Sequence, residues 1–247
     1  MKAEERIVCA LDVGSANAAI DLVSKLRGHV GAFKVGLELM NAEGAQIVER
    51  LRQEGAARIF YDAKMLDIPN TVAGAMRGVV RLGAWCVTIH ASGGSAILKT
   101  AVATARDEAA RLGVPPPKIL GVTVLTSIAE PVLRNELKVA VPLLDLVTHL
   151  ACLARDAGCD GVVVSPLEVE AVRKAVGTPD FLIITPGVRP EGSAAGDQAR
   201  TMTPAQAIHH GADYLVIGRP ITGATDPVYA AQHIAAQIAN AFDFPRD

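Results

Sequence analysis

At 247 residues, half of them hydrophobic, the chain can bury one large core, and barrels of this length are commonly one domain. A formal net charge of −2 with no Lys/Arg run offers no basic stripe for nucleic acid or an anionic membrane surface, which leaves a small-molecule partner as the expectation. No stretch approaches a membrane span and MKAEERIVCALDVGSAN lacks a signal-like cleavage pattern, so a cytoplasmic location is expected, and Cys9, Cys86, Cys152 and Cys159 read as reduced, packed thiols without metal-ligand spacing.

Continuous apolar runs mark strands covered on both faces. In chain order they are RIVCALD (6–12), GAFKVG (31–36), RIFYDAK (58–64), WCVTIHA (85–91), KILGVTVLT (118–126), DGVVVS (160–165), FLIITPGV (181–188) and DYLVIGR (213–219). Between them lie stretches with helical spacing and caps. In TPAQAIHHGADY, Thr203 suits an N-cap, Pro204 the first helical position, Gln206 a capping box and Gly211 the end. LGVPPPKI (112–119) is a rigid entry into the fifth strand. Eight β-then-α units, with no dinucleotide glycine fingerprint after the first strand, predict a single (β/α)8 TIM barrel spanning residues 1–247 as one domain rather than a doubly wound sheet.

In such a barrel, chemistry sits at the C-terminal ends of the strands and in the loops that follow. Polar residues there are Asp12, Lys34, Asp62 with Lys64, His90, Thr126 with Ser127, Ser165, the TPGVRPEGSAAGDQ loop, and Gly218 with Arg219. Asp62 and Lys64, two apart on a strand, leave the same face and can touch; Lys34 brings a second ammonium, and Asp67 lies beyond the strand. Lys34, Asp62, Lys64 and Asp67 sum to zero charge, which is how several ions share a partly desolvated pocket. An ordinary ion pair for Asp62 with Lys64, and a helix N-cap for Asp67 before IPNT, are the plainer alternatives.

A second constellation suits an anion. Loops after the seventh and eighth strands often bind phosphate, and here they carry Arg189, a small-residue stretch from Gly192 to Gly196, Gln198, Gly218 and Arg219. The 189–198 loop is long enough to close over a ligand. The hydroxyls of Thr126 and Ser127, placed at the end of the fifth strand, can address a heterocyclic amide or cap the next segment. His90, without a nucleophile to serve, reads as structural.

FYDAKMLDIPNT fits the pattern F-x-D-x-K-x-x-D-I-P-x-T at every fixed position, and TPGVRPEGSAAGDQARTMTPAQAI…GADYLVIGRPIT forms a second block. On these motifs, and over nearly its whole length, the chain resembles the orotidine 5′-phosphate decarboxylase family. The resemblance implies a homodimer of (β/α)8 barrels with shared active sites, acting on a small nucleotide (orotidylate to UMP) without metal or organic cofactor. It makes Lys34, Asp62, Lys64 and Asp67 the catalytic tetrad, Asp67 crossing from the partner with Ile68 and Thr71. Asp12 and Lys34 would hold ribose hydroxyls, Asp62 would face the substrate, and Ser127, with Thr126 beside it, would read the pyrimidine. Gln198 would bridge the loop to base and phosphate, while Arg189, Gly218 and Arg219 surround the phosphate and Pro186 completes the substrate contacts. Leu66 departs from the family's frequent histidine. Loss of CO2 from C6 leaves an in-plane anion that the ring cannot delocalise, and the resemblance gives its stabilisation and protonation to Lys64. The rival expectations are a metal-dependent phosphoketose decarboxylase or aldolase-like synthase on the same barrel, and a non-catalytic nucleotide-binding barrel.

Overall fold

The computed structural model describes residues 1–190 and 202–241. Eight strands, β1 (Ile7–Ala10), β2 (Ala32–Val35), β3 (Ile59–Met65), β4 (Cys86–His90), β5 (Lys118–Val122), β6 (Gly161–Val163), β7 (Leu182–Thr185) and β8 (Tyr214–Ile217), pair in parallel in chain order. β8 returns to β1 through Ile7↔Leu215, Val8↔Val216 and Cys9↔Ile217 and closes the barrel. The predicted TIM barrel is therefore the observed fold.

The apolar runs are continuous because alternate residues serve two different cores. Val8, Ala10, Ala32, Phe60, Cys86, Leu120, Ile184, Tyr214 and Val216 fill the barrel interior. Their neighbours, among them Ile7, Cys9, Phe33, Ile59, Val87, Ile119, Val162, Ile183 and Leu215, pack outward in the layer shared with the helices. At the N-terminal end of the barrel Trp85 meets Tyr214 edge-on at 5.1 Å, and the Arg58 guanidinium lies over both rings at 4.9 and 5.9 Å. That arrangement closes the floor with aromatic area and a cation–π contact. The opposite end is where polar side chains take over: two residues beyond Ala32, Phe60 and Cys86, the inward places belong to Lys34, Asp62 and Thr88.

The strands are mostly shorter than the apolar runs that mark them, and two differences from the sequence reading bear on the site. β5 ends at Val122 rather than Thr126, because at Thr123 the backbone N–H and the hydroxyl both turn to the Val163 carbonyl, at 3.4 and 3.2 Å. Thr126 and Ser127 therefore lie in the loop after β5. Asp67 is not the helix N-cap: Ile68 holds that place before helix Pro69–Leu82, and Asp67 Oδ1 accepts from the Ile68 N–H at 2.7 Å. Pro69, with φ already suited to a first helical turn, starts the helix, and Val72, Met76, Val79 and Val80 form its buried stripe. The capping box at Pro204–His209 is as expected, Thr203 Oγ1 accepting from Gln206 N–H at 3.2 Å and Gln206 Oε1 from Thr203 N–H at 3.1 Å.

Candidate active site

Lys34, carried inward by β2, is 8% exposed, and its Nζ lies 2.8 Å from Asp12 Oδ1 and 3.7 Å from Asp62 Oδ2. Lys64 Nζ approaches the same Asp62 oxygen at 2.6 Å. The other Asp62 oxygen, Oδ1, accepts from the Thr88 hydroxyl at 2.9 Å. Asp62, itself 8% exposed, is thus held by two ammonium groups and a hydroxyl. Burial pushes its carboxyl up, but Lys34, Lys64 and the hydrogen bonds from Lys64 and Thr88 outweigh it and hold it below the ordinary value.

The Asp62–Lys64 contact was expected from regular strand alternation, and the backbone achieves it differently. Lys64 has φ of +46°, and the β3–β4 register, regular at Phe60↔Cys86 and Tyr61↔Val87, resumes only at Met65↔Ile89. The strand bulges at its C-terminal end, and the Lys64 N–H is taken up by Thr88 Oγ1 at 2.8 Å. Thr88 was missed in the sequence, where a threonine within an apolar strand carries no distinguishing signal.

These groups open into a cavity of about 530 Å³ at the barrel mouth. Of the expected site residues, Asp12, Lys34, Asp62, Lys64, Thr126, Pro186, Arg189, Gly218 and Arg219 line it. So do Val122, Val124, Val163 and Val216, giving it an apolar wall, and Glu38, which sequence reasoning did not single out. Gly218 precedes the short helix Arg219–Thr222, which sets Arg219 at the cavity edge directly after β8. Burial and the charge of Arg219 both lower the Arg189 pKa, so an anion bound beside Arg189 would offset both effects there.

Other expected residues are not brought to this cavity. Asp67 does not join the other three charges in its own chain: Asp67, Ile68 and Thr71 are exposed, because the chain turns outward after β3 to start the next helix. Ser127 is exposed and does not line the cavity either. Gln198 lies outside the described residues. His90 is half-buried, with its pKa lowered by burial and by Lys64, and lines a neighbouring apolar cavity. Among the described residues no group of three or more His, Cys, Asp or Glu is placed to hold a metal ion.

Fold and site together define a class, the (β/α)8-barrel enzymes with an ionic network at the C-terminal mouth of the strands. The family model described as orotidine 5′-phosphate decarboxylase / HUMPS family matches residues 5–234, and the chain belongs to that family. The orotidine 5′-phosphate decarboxylase of Moorella thermoacetica is 52% identical over 238 residues, covering 96% of this chain and 94% of the relative. That of Paramagnetospirillum magneticum is 52% identical over 232 residues, covering 94% and 97%. The crystal structure of orotidine 5′-phosphate decarboxylase from Lactobacillus acidophilus superposes with a TM-score of 0.81 at 38% identity, covering 94% of this chain and 98% of that one.

Proposed function

We propose that this chain decarboxylates orotidine 5′-monophosphate to UMP and CO2, the last step of de novo pyrimidine synthesis, as a single-domain, cytoplasmic homodimer that needs no metal or organic cofactor. The observation that carries the reading is Asp62 fixed between Lys34 and Lys64 on the wall of a 530 Å³ cavity whose β7–β8 side presents Arg189 and Arg219. The family to which the chain belongs and the names of its relatives point the same way. Among the described residues no helix is long and apolar enough to cross a membrane.

The barrel order puts β3 across from β7, so a ligand whose phosphate meets Arg189, Arg219 and Gly218 extends its base toward Asp62 and Lys64. Asp12 and Lys34 lie between and hold the ribose hydroxyls, Thr126 on the cavity wall reads the pyrimidine, and Pro186 completes the wall; a role for Ser127 and Gln198 at the base rests on the family resemblance alone. The C6 carboxylate faces Asp62. As the C6–CO2 bond breaks, its electron pair stays on C6, and the Lys64 ammonium stabilises that charge better than it stabilises neutral ground-state carbon. Lys64 then gives its proton to C6, forming UMP, and recovers one from water. A preorganised cation is what this reaction requires, because no π system takes up the developing pair. Phosphate binding away from the breaking bond supplies the energy that aligns the base. Asp67, Ile68 and Thr71 complete the partner's site.

The test is turnover of orotidylate to UMP by purified protein dialysed against EDTA. Full activity is expected, and Lys64→Ala should abolish it with the fold intact by circular dichroism. Folded wild-type protein that leaves orotidylate unchanged would sink the reading, and dependence on an added divalent ion would favour the metal-dependent synthase chemistry instead.

A further inference from the structure

The proposed chemistry gives no task to Thr88, yet the two groups it relies on most both end on that hydroxyl. Thr88 is fully buried on β4, donates to Asp62 Oδ1 at 2.9 Å and accepts from the Lys64 N–H at 2.8 Å. A hydroxyl has one proton to give, and here it is given to Asp62 while a lone pair serves Lys64. The Lys64 amide needs that acceptor. It lies in the bulge where β3–β4 pairing is interrupted, at φ +46°, a left-handed backbone that a lysine adopts only when its surroundings impose it. The position of Lys64 Nζ, 2.6 Å from Asp62 Oδ2, thus depends on a backbone held from β4 and a carboxylate whose rotation is fixed from the same atom.

We propose that Thr88 is a positioning residue for the reaction, its single hydroxyl setting the Asp62 carboxylate and the Lys64 main chain in one mutual geometry. This rests on the orotidylate reading for its kinetic consequence, not for its structural one. Lys34 contacts Asp62 only through Oδ2, so the oxygen that Thr88 holds has no other side-chain partner among the described residues. Valine has the same shape and no hydroxyl: it leaves the Lys64 N–H without its acceptor and lets the carboxylate turn. Serine keeps the hydroxyl and loses only the methyl.

The experiment compares wild type, Thr88→Val and Thr88→Ser on orotidylate at a temperature where all are folded. Thr88→Val should lose about 10- to 100-fold in kcat with KM changed by less than about threefold, and Thr88→Ser should stay within about threefold of wild type in both, since a misplacement of about an ångström has a cost of this order. Three results would overturn the proposal: an unchanged kcat in Thr88→Val, a loss confined to KM, or a Thr88→Ser variant as impaired as the valine. If the valine variant does not fold, Thr88→Ala takes its place, and the serine rescue still decides. A crystal structure of the valine or alanine variant reads the structural claim without turnover. Displacement of Asp62 or of the Lys64 backbone supports it, and an unmoved pair overturns it. A wild-type protein inactive on orotidylate would remove the substrate reading and leave this last measurement to decide the role of Thr88.

Discussion

At Asp62 two opposing effects meet, and the ionised form prevails: burial favours the neutral acid, but two ammonium groups and a hydroxyl favour the anion more. A carboxyl held below its ordinary value in the folded protein contributes stability that is present above the unfolded value and is lost as pH falls through the folded one. The unfolding free energies of wild type and Asp62→Asn should therefore differ most above the ordinary carboxylate range and converge as the pH drops below it. Urea titrations at several pH values check this, and a difference independent of pH would refute it. Gly36 bears on the neighbouring charge. A Cβ there would stand 2.8 Å from Lys34 Nζ and 3.4 Å from Asp12 Oδ1, while its φ of −101° is open to any residue. Gly36→Ala is expected to fold with a somewhat lowered thermal midpoint, since alanine is a poorer N-cap than glycine, and to push the Lys34 ammonium aside, lowering kcat/KM about tenfold; full activity would show that this ammonium has freedom to spare. Lys34, Asp62 and Lys64 were legible in the sequence because charge inside an apolar run is expensive and needs a reason. Thr88 was not, because β-branched threonine is an ordinary strand residue whatever its hydroxyl does.

Among the elements, the strands were readable for the same physical cause that closes the barrel: a parallel strand buried on both faces has no polar alternation to blur it. Their ends were less so. At β5 the ladder stops where the Thr123 N–H and hydroxyl share the Val163 carbonyl of β6, and at β3 it yields to a bulge; both depend on the neighbouring strand, which a linear reading does not contain. Close approach between strands has its own requirement at Gly161, which pairs with Leu182 across β6–β7. A Cβ on Gly161 would meet the Leu182 carbonyl oxygen at 2.3 Å, and that atom is backbone in the wall of the barrel, unable to swing away. Gly161→Ala should cost about 1–3 kcal/mol, as overpacking of a well-filled interior does, measured by denaturant unfolding. A variant as stable as wild type would mean that β6 and β7 can part without penalty.

At the scale of the whole molecule the separation of Asp67 from the other three charges becomes an argument about assembly. Asp67 sits between Leu66 and Ile68, which are 58% and 67% exposed, and Leu66 also edges an apolar cavity of about 520 Å³ that includes His90, Leu125, Leu133 and Leu146. Exposed apolar side chains beside Asp67, a carboxylate that misses the cavity of its own chain, fit the proposed dimer, in which each subunit sends Asp67 into the other's cavity. Spacing alone groups the four charges in one pocket, since distance along the chain is silent about which copy supplies a residue; it is the family resemblance that sends Asp67 to the partner. A mixture of two inactive variants separates the possibilities. In a dimer of Lys64→Ala with Asp67→Ala, one site combines both defects and the other receives Lys64 from one subunit and Asp67 from its partner, intact. Random exchange at equal concentrations makes half the dimers hybrid with one working site in two, so about a quarter of wild-type activity should return from proteins that are each inactive alone. Were Asp67 to act within its own chain, every site in the mixture would carry one defect, and no activity would return after exchange, which labelled subunits can verify independently.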